Sequence, residues 1–179
     1  MTEASPEGEL AIRRAGSGDV DEAARILEDA IEWAAELGFD SWPPGTFSDP
    51  GAWGRERLLE ALRADGLYLA LLDGEPIATF SLMPEDSLFW PEAADDALYL
   101  HRFAVLRAHR GGSIGTASLR FMQEEVLRAG QRYLRLDCLA HNSGIRRYYE
   151  AAGFEHRGDT VVNDMRLSLY ELDVAGPQS

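Results

Sequence analysis

Val105-Leu-Arg-Ala-His-Arg-Gly-Gly-Ser-Ile-Gly-Thr116 is the stretch on which the reading of this chain turns. An apolar, strand-like run, Ala97-Leu-Tyr-Leu-His-Arg-Phe-Ala-Val105, leads into it. A helical pattern leads out, with Ile114, Ala117, Phe121, Met122, Val126 and Ala129 on one side and Gly130 as its stop. A strand feeding a glycine-rich turn and then a helix start is suited to anions. The first helical N–H groups have no partner within the helix, and the macrodipole places positive potential beside them. Gly111 and Gly112 permit close backbone approach or positive φ, and Arg110 adds a fork of donors for phosphate oxygens. The stretch therefore reads as a pyrophosphate cradle, while a βα turn whose glycines serve only close packing fits the same residues.

Two better-known glycine motifs do not fit. A P-loop needs Lys before the Thr, whereas Ile114-Gly115 precede Thr116, and residues 111–116 do not spell G-x-G-x-x-G. Arg110-Gly-Gly-Ser-Ile-Gly115, with Val105 five residues before the Arg, instead resembles the R-G-x-G-x-G/A signature of the GNAT superfamily of N-acetyltransferases. In that superfamily the loop holds the pyrophosphate of acetyl-CoA. The resemblance thus implies cofactor contacts from Arg110, Gly111, Gly112 and Ser113, and from the helix start at Ile114, Gly115 and Thr116. Ser113 departs from the usual Gly. Backbone N–H contacts tolerate that change unless the position demands φ > 0.

Composition narrows the class. The 179 residues are expected to form one domain, 10–174, between loose tails at 1–9 and 175–179, burying roughly two thirds of the unfolded surface. A hydrophobic fraction of 45% and a charged fraction of 27% are ordinary for a globular protein. Seventeen basic against thirty-one acidic residues leave a net charge of −14, which disfavours nucleic acid and attracts cationic small molecules, although solubility alone would explain most of the excess. The lone Cys138 excludes an internal disulfide. No secretory leader and no run of 18 apolar residues occurs, so no membrane association and a cytoplasmic location are expected.

In chain order, Glu9–Arg14 reads as a strand. Asp19 with Glu22 resembles a capping box opening a helix that ends at Gly38. Phe39 to Trp53 is an aromatic, proline-rich loop, and a second helix runs to about Ala64. Asp73-Gly74 between two apolar runs signals a hairpin, and Pro84–Asp96 forms an acidic loop. After the strand, glycine turn and helix come a strand at Gln131–Leu139 and a helix capped by Asn142 or Ser143 and closed by Gly153. Two last strands follow. Early hairpins followed by a βαβ segment point to a mixed α/β sheet. The order is that of GNAT proteins, and Tyr149-Glu-Ala-Ala-Gly-Phe154 is similar to their F-Y-x-x-x-G-F segment, with Asn142 seven residues earlier also matching. The resemblance implies an α/β (α+β) fold: a mostly antiparallel sheet of about six or seven strands with a splayed parallel pair, flanked by about four helices.

Acetyl transfer to an amine needs a polarised thioester carbonyl, a base for the amine and an acid for the departing thiolate. The resemblance implies that the backbone of Phe103, Ala104 and Val105 pairs with the pantetheine arm. It also selects Tyr149 as general acid and cofactor contact, together with Asn142. By spacing alone, Tyr149 would only pack beside Ile145 and Ala152. A phenol is protonated at neutral pH and can serve as the acid. His101 is the candidate base, since an imidazole titrates near neutrality. Leu100-His-Arg-Phe-Ala-Val105 resembles the L-H-x-L-A-V strand of arylalkylamine N-acetyltransferases, with Tyr99 in place of a second His. A buried, hydrogen-bonded His101 without a chemical role fits equally. Asp137 is the rival: it could orient His101, clamp an ammonium group or pair with an Arg. Cys138 reads as an inert thiol. His109, His141 and His156 lack ligand spacing, so no metal is expected. Trp42, Phe47, Trp53, Phe89 and Trp90 could wall an amine site or plug long loops. The expected activity is direct transfer, in a ternary complex, to a small cationic or aromatic primary amine, with a homodimer as the candidate assembly. A non-catalytic acyl-CoA-binding module or a protein N-terminal or lysine acetyltransferase are the alternatives.

Overall fold

The computed structural model describes residues 8–39, 42–91 and 95–176. Most of both expected tails, Asp40-Ser41 of the aromatic loop and 92–94 of the acidic loop lie outside these residues. Seven strands form one sheet, in the order β1-β2-β3-β4-β5-β7-β6. Their ranges are β1 Leu10–Arg14, β2 Leu67–Leu72, β3 Glu75–Met83, β4 Ala97–Val105, β5 Tyr133–Leu139, β6 Glu155–Val162 and β7 Met165–Asp173. The helices are α1 Val20–Glu36, α2 Trp53–Arg63, α3 Ile114–Arg128 and α4 Ser143–Ala151. The β4–β5 pair is parallel, and the other registered pairs are antiparallel. Among the described residues no helix is long and apolar enough to cross a membrane.

The chain divides into two compact units. The first comprises the residues up to Leu82 with Arg102–Leu119, and the second Met83–His101 with the residues from Arg120 onward. In the first unit, Asp73 (φ 50°) and Gly74 (φ 87°) both take positive φ. That is the turn whose twist matches the flanking strands, and it places Tyr68 opposite Phe80. Their rings stack at 5.1 Å. Glu9, where the expected tail meets the expected first strand, is held in place. Its N–H donates to Asp73 Oδ1 at 2.9 Å and its carbonyl accepts from the Asp73 amide at 2.9 Å.

The expected capping box does not form at Asp19. Its carboxylate turns back to accept from Gly16 N–H at 2.7 Å and pairs with Arg13 at 2.6 Å, because a 3₁₀ turn at Ser17–Asp19 precedes α1. Glu28 of α1 does the equivalent work for the aromatic loop, accepting from the amides of Gly45, Phe47 and Ser48. Phe47 is thereby fully buried, and Gly54 at the start of α2 fits only because a Cβ there would lie 2.6 Å from the Thr46 carbonyl.

In the second unit, β5 is the central strand, paired with β4 from Ala97↔Tyr133 to Leu100↔Leu136 and with β7 from Tyr133↔Asp173 to Leu139↔Leu167. Leu134, Leu136 and Tyr170 fill the core. One charged cluster is buried within it. Arg135 donates to Glu171 at 2.8 Å and to the Tyr99 hydroxyl at 3.1 Å, and the rings of Trp90, Tyr99 and Tyr133 surround its guanidinium.

Candidate functional site

The glycine turn belongs to the first unit. Leu106 leaves β4 with its amide donating to the Ile77 carbonyl at 2.8 Å, and a 3₁₀ turn at Arg107–His109 follows. Arg107 ties that turn to α1 through Asp29 and Glu36, each at 3.0 Å. Gly111 takes φ 76°, and a side chain there would meet only open space. The Ala117 amide makes the first helical bond, to the Ser113 carbonyl at 2.8 Å. The amides of Ile114, Gly115 and Thr116 therefore stand as first-turn donors, where the helix dipole is positive.

Ser113 is not among the positive-φ residues, which removes the objection to a side chain at that position. Its Oγ is buried and has no hydrogen-bond partner among the described residues. Buried hydroxyls are seldom left so, and an oxyanion at the α3 N-terminus would satisfy this one. Ile114 packs with Ala70, Ile77 and Ala78, while Val105 and Leu106 lean on the same cluster. The turn is thus mounted on a packed base.

Arg110 is placed differently from the simple reading. Its Nε donates to the Val105 carbonyl at 2.8 Å, and its guanidinium carbon lies over Trp33 of α1, 3.9 Å from the ring centroid. The side chain latches the loop to the strand end. Burial pulls its pKa below the usual arginine value, partly offset by Asp29. Trp33 was not singled out from sequence. Its place on the exposed side of an amphipathic helix gave no signal.

Phe103 and Ala104 complete the candidate cofactor strand. Phe103 meets Phe80 edge-on at 6.2 Å, and Ala104 is buried. Arg102, just before them, takes φ 53° within β4. The alternation of side chains along β4 is interrupted there, because a positive-φ residue breaks the pleat.

The second unit carries His101, Asp137, Asn142 and Tyr149. His101 and Asp137 do come together, and a residue that sequence reasoning missed joins them: Asp86. Each of the three offers a ligating atom within 4.8 Å of the others. Asn142 is the cap, with Oδ1 accepting the Ile145 amide at 3.1 Å. Tyr149 is 5% exposed and rings with Tyr148, Phe154 and Tyr170 at 5.3, 5.5 and 6.4 Å. Burial, and then its neighbours Tyr148, Cys138 and Asp137, hold the phenol far above its ordinary pKa. Burial likewise pushes the Cys138 thiol up to about 12, leaving it inert as a nucleophile. Of the aromatic candidates, Phe47 is a plug beneath Trp42 and Trp53, whose own ring is half exposed. Trp90 packs on Arg135.

The sequence has a curated relative, and solved structures share its fold. A curated relative, the uncharacterized N-acetyltransferase YesJ of Bacillus subtilis (strain 168), is 23% identical over 145 residues, 78% of each chain. A GNAT-family acetyltransferase structure from Listeria monocytogenes superimposes with a TM-score of 0.73 at 22% identity, covering 94% of this chain and 98% of that one. The structure of yncA from Salmonella typhimurium, solved with its cofactor acetyl-CoA, superimposes with a TM-score of 0.68 at 16% identity over 95% and 96% of the two chains. The family model described as Acetyltransferase (GNAT) family matches residues 27–154, well over half of the sequence, and the chain therefore belongs to the GNAT acetyltransferases.

Proposed function

We propose that this acetyltransferase moves the acetyl group of acetyl-CoA to a small primary amine, cationic or aromatic, by direct transfer with both substrates bound. The observation that carries the cofactor assignment is the buried, unpartnered Ser113 hydroxyl beside the first-turn amides of α3, on a loop that is open at Gly111. These groups suit a diphosphate: several donors, a positive helix end and a guanidinium at one place. The yncA structure with acetyl-CoA supports the same reading.

In this mechanism the loop grips the pyrophosphate, and the backbone of Phe103, Ala104 and Val105 aligns the pantetheine arm and polarises the thioester carbonyl. Asn142 lends its side-chain amide to the same ligand. His101 takes the proton that the attacking amine loses, with Asp137 as the alternative group. The bond from carbon to nitrogen forms, the bond from carbon to sulfur breaks, and Tyr149 presents its O–H to the departing sulfur. The overall charge of −14 favours an acceptor that arrives as a cation.

Calorimetry with coenzyme A, followed by thiol release from acetyl-CoA with a panel of amines and peptides, tests the reading. Saturable binding and amine-dependent release are expected. Binding without transfer to any acceptor would favour a non-catalytic acyl-CoA-binding module, and absence of binding would remove the assignment. The latch makes a finer prediction. Trp33→Ala should raise the KM for acetyl-CoA about fivefold and leave kcat unchanged, since a cation–π contact at a half-exposed site is worth about 1 kcal/mol. An unaltered KM would show that Arg110 needs no support from α1.

A further inference from the structure

A carboxylate from the acidic loop stands against the candidate base. His101 Nε2 lies 3.6 Å from Asp86 Oδ2, with the two side chains only 17% and 7% exposed. Burying a carboxylate this deeply is costly unless positive charge or donors compensate it. Its surroundings are built to hold it. Asp86 Oδ1 accepts the Phe89 amide at 3.4 Å, and the Asp86 carbonyl accepts the Trp90 amide at 2.9 Å. The Trp90 ring in turn leans on Tyr99 at 6.3 Å and on the buried Arg135 guanidinium at 5.2 Å. The 86–90 turn is therefore pinned at both ends, with one carboxylate oxygen facing its own loop and the other facing the imidazole. Asp137 of β5 brings a second carboxylate within 4.8 Å.

An ionised carboxylate only accepts hydrogen bonds, so the ring nitrogen that faces it carries the hydrogen when the imidazole is neutral. For His101 that nitrogen is Nε2, and the lone pair then sits on Nδ1. A proton arriving on Nδ1 makes an imidazolium whose charge develops beside Asp86. At 3.6 Å the contact is longer than a hydrogen bond while the ring is neutral, and charging the ring would shorten it. We propose that Asp86 is a positioning residue for His101: it sets the Nε2–H tautomer, holds the ring plane, and stabilises the imidazolium formed as the amine N–H bond breaks. This rests on His101 being the base, as argued under the proposed function. Nothing in the local sequence distinguishes Asp86 from Glu85 or Asp95, because the pairing arises only when the loop folds back on β4.

Nitrogen-15 NMR of the full chain with labelled histidine tests the proposal without knowledge of the acceptor. His101 is assigned by the signal lost in His101→Gln. Spectra are taken at a pH high enough for the His101 ring to be neutral, where the expected result is a protonated Nε2 and an unprotonated Nδ1. In Asp86→Asn, which keeps size and the acceptor for Phe89, both ring-nitrogen shifts of His101 should move toward a mixture of tautomers, while His109 and His141 stay in place. A parent protein in the Nδ1–H tautomer, or shifts that ignore Asp86→Asn, would overturn the proposal, and the first of these needs no variant to fold.

Kinetics separate this from the base assignment, with thiol release measured using spermidine and tryptamine as acceptors. His101→Gln should lower kcat about 10²-fold and Asp86→Asn at least about tenfold. The double variant should fall no further than His101→Gln alone. Full additivity of the two losses would overturn the positioning role while leaving the base. An unchanged kcat in His101→Gln would overturn the base assignment, and with it the catalytic role of Asp86.

Discussion

Replacing Tyr149 with phenylalanine is expected to lower kcat by about 10²–10³-fold and to leave the KM for acetyl-CoA nearly unchanged. The substitution removes one hydroxyl and keeps the ring that packs against Tyr148, Phe154 and Tyr170. Folding and cofactor affinity should therefore survive, which a thermal melt and calorimetry with coenzyme A would verify. Burial is the main cause of the phenol's raised pKa, and this shapes its role. An O–H held far above its ordinary value is a weak proton source for a thiolate whose own pKa is about 8.5. It is nevertheless a permanent donor in a place of low polarity, where a hydrogen bond to developing negative charge is strong. Tyr149 should therefore act mainly by donating a hydrogen bond to the sulfur as the bond breaks, with the thiolate taking its proton from solvent after it leaves. A second consequence follows from the direction of the shift. Ionisation of Tyr149 should cause no fall in kcat up to about pH 10. Unaltered turnover in Tyr149→Phe would take the acid role away from this residue and leave it a core side chain.

The second large effect concerns stability. Arg135→Met should destabilise the protein by about 3 kcal/mol, since removing one partner from a buried ion pair leaves its carboxylate without compensation. Arg135 and Glu171 are 6% and 8% exposed and bond at 2.8 Å. The loss should sit at the low end of the range for such pairs, because Arg157 also reaches Glu171, at 2.8 Å, from the surface. For a chain of this length the melting temperature should fall by about 6–12 °C. Adding Glu171→Leu to Arg135→Met should restore most of the loss, as replacing both charges by apolar groups removes the penalty along with the pair. A double variant no better than the single would place the cost in lost packing of Trp90, Tyr99 and Tyr133 around the guanidinium.

Several elements are legible in the sequence because their signals are local. Asp73-Gly74 demands positive φ at two successive residues, which few pairs other than Asn-Gly or Asp-Gly accept, and the turn forms there. Gly130 and Gly153 close α3 and α4 with φ of 71° and 92°, as their positions after apolar helical runs implied. The strand, glycine turn and helix from Ala97 to Arg128 follow from the switch of apolar period from two to about 3.6. The family resemblance rested on this segment and on Tyr149–Phe154, and both lie within the matched 27–154.

What failed locally did so for lack of a partner in view. Asp19 and Glu22 have capping-box spacing, yet the Asp19 carboxylate is taken by Arg13 at 2.6 Å and by the Gly16 amide at 2.7 Å, across the 3₁₀ turn that precedes α1. Arg110 looks from sequence like a free phosphate ligand, but the Trp33 ring and the Val105 carbonyl hold it.

The sequence by itself determined the order of strands and helices, the place of the glycine turn and the family, because propensity, turn chemistry and motif spacing act over a few residues. Tertiary structure alone decided which carboxylates stand beside His101, which ring supports Arg110, and that Ser113 keeps a buried hydroxyl without a partner. These depend on burial and on contacts between residues far apart in the chain, and both exist only once the apolar faces have packed and the backbone between them is fixed.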